Sequence, residues 1–246
     1  MKDDAERSFD AGVALEPTYL PLYYERIREL LPRFGGSVGA MMKFANNTVK
    51  RLGPDDGNAM YATIAWELIF WEGEDSLESP YSFSWPQIQS GFDYSMKKYP
   101  KSDFVKEMYA KLACVFRKKE IAATVFNSLF NEEPAGGFNS EYESKAFRAW
   151  ATADGPYPEI SPLEVAIEND NTRQIAKLVK DGNDPNARTR AGRPMLEYAI
   201  YLGNWDAEAT LLENGADPNI VSSNGSPTIY WTLNYDISDP LEILLN

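Results

Sequence analysis

Residues 161–186 read SPLEVAIENDNTRQIAKLVKDGNDPN, and residues 194–219 read PMLEYAIYLGNWDAEATLLENGADPN. Laid over each other at an offset of 33 residues, the two stretches agree at many positions in one register. Asp184-Pro185-Asn186 falls on Asp217-Pro218-Asn219, Leu163 on Leu196, Ala166 on Ala199, Leu178 on Leu211 and Gly182 on Gly215. The same offset carries Gly192 to Gly225, Pro194 to Pro227, Leu196 to Ile229 and Leu211-Leu212 to Leu244-Leu245. Agreement on this scale marks an internal repeat.

Each copy has a readable physical design. Leu163, Ala166 and Ile167 lie at helical spacing, with a small alanine where a neighbour packs closely. A polar turn, Asn169-Asp170-Asn171, leads to a second helix carrying Ile175, Leu178 and Val179, and Gly182 supplies a left-handed stop. The second copy has its turn at Gly203-Asn204 and its stop at Gly215. The third opens its second helix with Asp239-Pro240, a cap and first-turn pair. A helix pair of this size cannot cover its own apolar side, so the next pair must cover it.

The segments SPLEVA, LLENGADPN and NGSPTIYWTL resemble the ankyrin repeat. The resemblance spans 160–246, as two full repeats and a third that stops before its terminal loop. One departure stands out. Where that family usually carries a histidine that ties down the turn, this chain has Glu164, Glu197 and Tyr230. The resemblance implies that loop tips and the exposed end of each first helix meet a partner. Those positions are Arg188, Arg190 and Arg193 on one tip, and Ser223, Asn224 and Ser226 on the next. On the helices they are Glu168, Asn169, Tyr201, Leu202, Asn234 and Tyr235. Tyr201, Leu202 and Tyr235 are aromatic or apolar where a solvated helix end prefers polar groups. Either a contact surface or packing against the N-terminal domain explains them.

Upstream, helical periodicity alternates with breakers. Pro17 to Leu31 shows Leu20, Tyr23, Tyr24, Ile27, Leu30 and Leu31 on one face and halts at Pro32 and Gly35-Gly36. Ser37 caps a run to Leu52, and Asn58 to Trp71 forms a third helix. Further helices are expected over Gln87 to Lys98, Asp103 to Phe116, Glu120 to Phe130 and Ser140 to Ala153, before a linker at Pro156 and Pro158. AKLACVF-RKKE-IAATVFNSLF reads as an αα-hairpin with Ala113, Ala122 and Ala123 at the crossing. These hairpins look tetratricopeptide-like. The pieces YYERIRELLPRFGGSVGAMMKFA and AKLACVFRKKEIAATVF resemble an uncharacterised bacterial helical family. The expected fold is therefore all-α: a bundle of tetratricopeptide-like α-hairpins over 1–155, then an ankyrin-repeat solenoid over 160–246.

Composition narrows the chemistry. The net charge of -13 repels phosphate backbones and anionic lipid and favours a basic partner. With no histidine, Ser-His-Asp and Cys-His machinery and imidazole metal sites are all ruled out. A lone cysteine, Cys114, set among Ala113, Val115 and Phe116, reads as a buried thiol and fits a reducing compartment. No stretch approaches the roughly 18–20 apolar residues that span a bilayer. The start, MKDDAERSFD, does not read as a signal peptide, so a cytoplasmic location is expected. The loop 72–86 carries Glu72, Glu74, Asp75 and Glu78 without calcium-loop spacing, and then Tyr81, Phe83 and Trp85. Asp55-Asp56-Gly57 reads as a turn and helix start, and Gly35-Gly36-Ser37 lacks the lysine of a phosphate loop. No cofactor or metal is expected.

These features point to a non-catalytic protein-binding module. Short helical-repeat proteins of bacteria often serve as immunity proteins, and an acidic face suits a basic toxin or secreted effector such as a type VI secretion effector. An adaptor bridging two partners is the alternative. A carboxylate-dependent enzyme drawing on Glu67, Glu72, Glu74 and Asp75 is a remote one.

Overall fold

The computed structural model describes residues 2–72, 83–130, 135–222 and 227–228. Among them the regular elements are helical, apart from single β-bridges. The chain divides into two compact units, Met1–Phe138 and Asn139–Asn246. That division falls before Ser140, so the helix that follows belongs to the second unit rather than closing the first.

The first unit holds α1 (Lys2–Leu15), α2 (Leu20–Leu30), α3 (Val38–Leu52), α4 (Pro54–Glu72), α5 (Trp85–Lys98), α6 (Asp103–Val115) and α7 (Lys119–Phe126). Its organising element is α4, which packs against α3, α5 and α6. Met60, Tyr61, Ala62, Ile64, Ala65, Trp66, Leu68 and Ile69 are all buried, so α4 is apolar around most of its circumference, as a central helix must be. The α4–α5 crossing is close because Gly91 has no side chain: a Cβ there would lie 2.0 Å from the carbonyl oxygen of Asn58. On the other side, α1 is anchored by Phe9, whose ring meets Tyr23 and Phe44 edge-on at 5.3 Å each.

The LPRFGGS segment is a stop and a restart. Pro32–Phe34 form one 3-10 turn, Gly35 is left-handed at φ +84°, and the Ser37 hydroxyl accepts the Ala40 N–H at 3.2 Å to cap α3. In the hairpin of α6 and α7 Ala113 and Ala122 are fully buried, as is Cys114, while Ala123 is half-buried. Helix α7 stops at Phe126, short of the expected Phe130. Side chains of α6 capture the backbone beyond: Lys106 Nζ donates to the Ser128 carbonyl at 2.7 Å, and the Asp103 carboxylate accepts the Phe130 N–H at 3.1 Å. Glu107 likewise accepts the N–H groups of Ala135 and Gly137, each at 2.8 Å.

The second unit holds α8 (Glu141–Thr152), α9 (Pro162–Glu168), α10 (Thr172–Lys180), α11 (Met195–Leu202) and α12 (Trp205–Glu213). Helix α8 starts on Ser140, whose hydroxyl accepts the Glu143 N–H while the Glu143 carboxylate accepts the Asn139 N–H at 2.8 Å. The other four helices share one core of Leu163, Ala166, Ile167, Ile175, Met195, Leu196, Ala199, Ile200, Ala207 and Leu211. Their local geometry recurs with the 33-residue offset. Asn171 donates to the Ala166 carbonyl and Asn204 to that of Ala199; Asn183 donates to Leu178 and Ala216 to Leu211. Gly182 and Gly215 end their helices at φ +101° and +92°, a conformation an L side chain rarely adopts. Asp184 accepts the Asn186 N–H and Asp217 the Asn219 N–H, both at 2.8 Å. Bridges then pair Arg188 with Pro194 and Val221 with Pro227.

Candidate partner-binding surface

The copies are stitched together by polar groups whose placement follows from the repeat. The Asn204 side chain donates to the Ile167 carbonyl at 2.7 Å, and the Asp170 carboxylate accepts the Ala207 N–H at 2.9 Å, joining turn to turn. The Asn186 side chain accepts the Asp217 N–H at 2.6 Å, joining loop to loop. These links are made inside the unit, and the ends of the first helices lie exposed beside them.

The ends of α9 and α11 carry most of the exposed predicted positions. Glu168 and Asn169 close α9; Tyr201 and Leu202 close α11 and are 51 % and 38 % exposed. Val165, one turn back on α9, is exposed too, an apolar group that sequence reading did not single out. Its repeat-mate Tyr198 joins the two helices, donating its hydroxyl to Glu168 Oε1 at 2.6 Å. Burial and the Glu164 and Glu168 carboxylates push the Tyr198 phenol well above its ordinary range, so it stays a donor. Beside α9 lies a shallow recess of about 400 Å³ lined by Ile160, Pro162, Val165, Asn169 and Gln174.

The tip arginines do other work. Arg188 donates from Nη1 to the Gly192 carbonyl and from Nη2 to the Val221 carbonyl, both at 2.8 Å, and so ties one tip to the next. Arg190 lies over the Phe147 ring at 5.9 Å, and its backbone N–H goes to Glu164. Arg193 stacks on Tyr201, its Cζ 3.9 Å from the ring centroid, with Nε 3.5 Å from Glu197 Oε1. The periodicity showed where these arginines stand but not which carbonyls and rings would use them. Ser223, Asn224, Ser226, Asn234 and Tyr235 lie outside the described residues, as do Tyr230 and Asp239-Pro240.

Charge is unevenly shared along the sequence. The second unit has 8 basic and 17 acidic residues, a net of -9, against -4 in the first. The basic groups of α10, Arg173, Lys177 and Lys180, form one exposed stripe on that helix. Around the ends of α9 and α11 stand the exposed carboxylates of Glu168 and Asp170 and the half-exposed Arg193 guanidinium on Tyr201.

Elsewhere, Glu67 accepts the Trp71 indole N–H at 2.8 Å, and burial raises its carboxyl above the usual range. Glu74, Asp75, Glu78 and Tyr81 lie outside the described residues. Phe83 is buried against Tyr61, and Trp85 packs on Phe116, so both serve the core. Asp56 sits in the first turn of α4 and holds Lys98 at 2.8 Å. Among the described residues no group of three or more His, Cys, Asp or Glu is placed to hold a metal ion, and no helix is long and apolar enough to cross a membrane. No protein-family model matches the chain, and no curated protein matches its sequence.

Proposed function

We propose that this chain is a non-catalytic protein-binding module whose second unit is a short ankyrin-type stack gripping a basic partner. Within that reading it acts as a cytoplasmic immunity protein, occupying a cognate bacterial toxin or effector. The ankyrin assignment is supported by turns, helix stops, Asx loops and bridges that recur at one spacing.

A single observation carries the binding role. Val165, Tyr201 and Leu202 are left in solvent on the ends of two adjacent helices, while the polar groups around them are already bonded. Tyr201, an exposed aromatic ring ordered by Arg193, is the kind of side chain an interface centre uses, with Leu202 and Val165 as its apolar surround. The excess of carboxylates in the same unit supplies attraction for a basic cleft.

Expression of the reading frame beside this gene tests it. The neighbour alone should arrest growth, and this chain should restore it through a one-to-one complex. Tyr201→Asp with Leu202→Asp should abolish rescue while leaving the circular-dichroism spectrum unchanged. A neighbour without toxicity, or rescue untouched by the double variant, would overturn the proposal. A ternary complex with two partners and no rescue would replace it with an adaptor.

A further inference from the structure

A cavity of about 410 Å³ opens in the first unit among α2, α4, α5 and α6, far along the chain from the repeats. Its walls are Met60, Phe92 and Met108, all buried, with Leu52, Ala59 and Val105 beside them. Two of the wall hydroxyls are turned into their own helices. Thr63 donates to the Ala59 carbonyl and Ser95 to that of Gly91, each within its own helix. The interior therefore offers an apolar lining of a size ordinary for ligand sites. Three large side chains at its edge, Leu20, Tyr99 and Phe104, leave 45 %, 49 % and 36 % of their surface in solvent. A guest would cover them.

The rim decides what kind of guest. Lys98 Nζ reaches Asp56 Oδ1 at 2.8 Å and keeps further N–H groups for another acceptor. The Ser102 hydroxyl accepts the Val105 N–H and keeps its hydrogen. On the acceptor side, Asp56 Oδ1 is already shared between Lys98 and the Tyr94 hydroxyl. Asp56 turns Oδ1 to both Lys98 and Tyr94, so a head group seated on the remaining Lys98 and Ser102 donors is one that accepts. We propose that this cavity binds a monoanionic amphiphile, a carboxylate with an alkyl or aryl body of about a dozen heavy atoms, its head on Lys98 and its body against Met60, Phe92 and Met108. A body of that size suits a cavity of about 410 Å³, toward the lower end of the range for ligand sites.

The test uses the full chain, sodium decanoate below its micelle-forming concentration, 1-decanol as the neutral analogue and decyltrimethylammonium as the cationic one. Calorimetry should give saturable one-to-one binding of decanoate. Methionine-methyl NMR should place the shifts at Met60 and Met108, with Met195 in the other unit unmoved. Lys98→Gln should weaken decanoate about tenfold and leave decanol unchanged, and Thr63→Leu, which fills the wall, should weaken both. Since a filled wall can also harm folding, Lys98→Gln carries the decision. The proposal is overturned by absent or unsaturable decanoate binding, by shifts spread to Met195, by equal affinity for the cationic analogue, or by Lys98→Gln without effect.

Discussion

Glu164 reaches the backbone of Arg190, its Oε2 accepting the N–H at 3.1 Å across 26 residues of chain. Here a buried carboxylate makes the link between the two copies of the sequence repeat. Burial pushes the Glu164 carboxyl up, while the Arg190 N–H and guanidinium pull it back down. Glu197 stands 33 residues on, equally buried, with Oε2 unbonded among the described residues. The residue type recurs in the sequence, and the backbone link is made by Glu164.

Removing it leaves a half-buried N–H without that acceptor. Glu164→Ala is expected to lower stability by about 1 kcal/mol, the net worth of one hydrogen bond. Glu164→Gln retains an oxygen of the same reach and should cost less than half as much. Urea denaturation of both variants at neutral pH checks this. Equal losses would show that the side chain acts through packing alone.

Glu208 presents the opposite case. It sits 33 residues after the fully buried Ile175, is only 1 % exposed, and its Oε1 finds no partner. Burial pushes its carboxyl up to about 7 from an ordinary 4.5. Between those values the folded chain binds more protons than the unfolded one, so stability falls as pH rises. The contribution is complete below pH 4.5 and is lost as pH climbs through 7; at 1.36 kcal/mol per unit it is at most about 3 kcal/mol. Glu208→Ile should remove this slope and stabilise the chain at pH 8. Urea midpoints of both proteins from pH 5 to 8 read it directly. Parallel curves would mean that Glu208 is already solvated.

Much of this architecture is legible in the residues. Ser37 caps α3 where expected, and both glycine stops fall at left-handed positions because those choices are local. Helix α1 is not legible in the sequence: among its described side chains Phe9 and Val13 are the buried ones, too few to mark a face before Tyr23 and Phe44 are known to receive them. The early end of α7 was equally hidden, since Lys106 and Asp103 impose it from another helix. At the surface, position was readable but employment was not. Nothing in the spacing reveals that Arg188 faces two carbonyls.

Two glycines of the first unit should respond in opposite directions. Gly91→Ala drives a methyl into the Asn58 carbonyl, 2.0 Å away, at the α4–α5 crossing. Backbone cannot yield there as a side-chain tip would, so a loss of about 3 kcal/mol or more is expected. Gly39 is the second residue of α3, with nothing within 4 Å of its would-be Cβ. Gly39→Ala should therefore stabilise by about 0.5 kcal/mol or less, the first-turn share of alanine's helix preference. Thermal melts separate the two.

The arginines of the repeat tip should divide by task. Arg188 bonds the carbonyls of Gly192 and Val221, so Arg188→Ala should cost about 1–3 kcal/mol of stability. Arg193 covers the Tyr201 ring at 3.9 Å, an arrangement that orders an exposed side chain more than it supports the core. Arg193→Ala should leave the melting midpoint nearly unchanged and weaken the partner complex several-fold, because the ring must then be ordered on binding. Tyr201→Ala should weaken that complex by about 2 kcal/mol, some thirtyfold, if the ring is a central anchor. Calorimetric titration of the partner with all three variants, beside their melts, resolves stability from affinity. Loss of affinity in Arg188→Ala without loss of stability would move the contact from the helix ends to the tip.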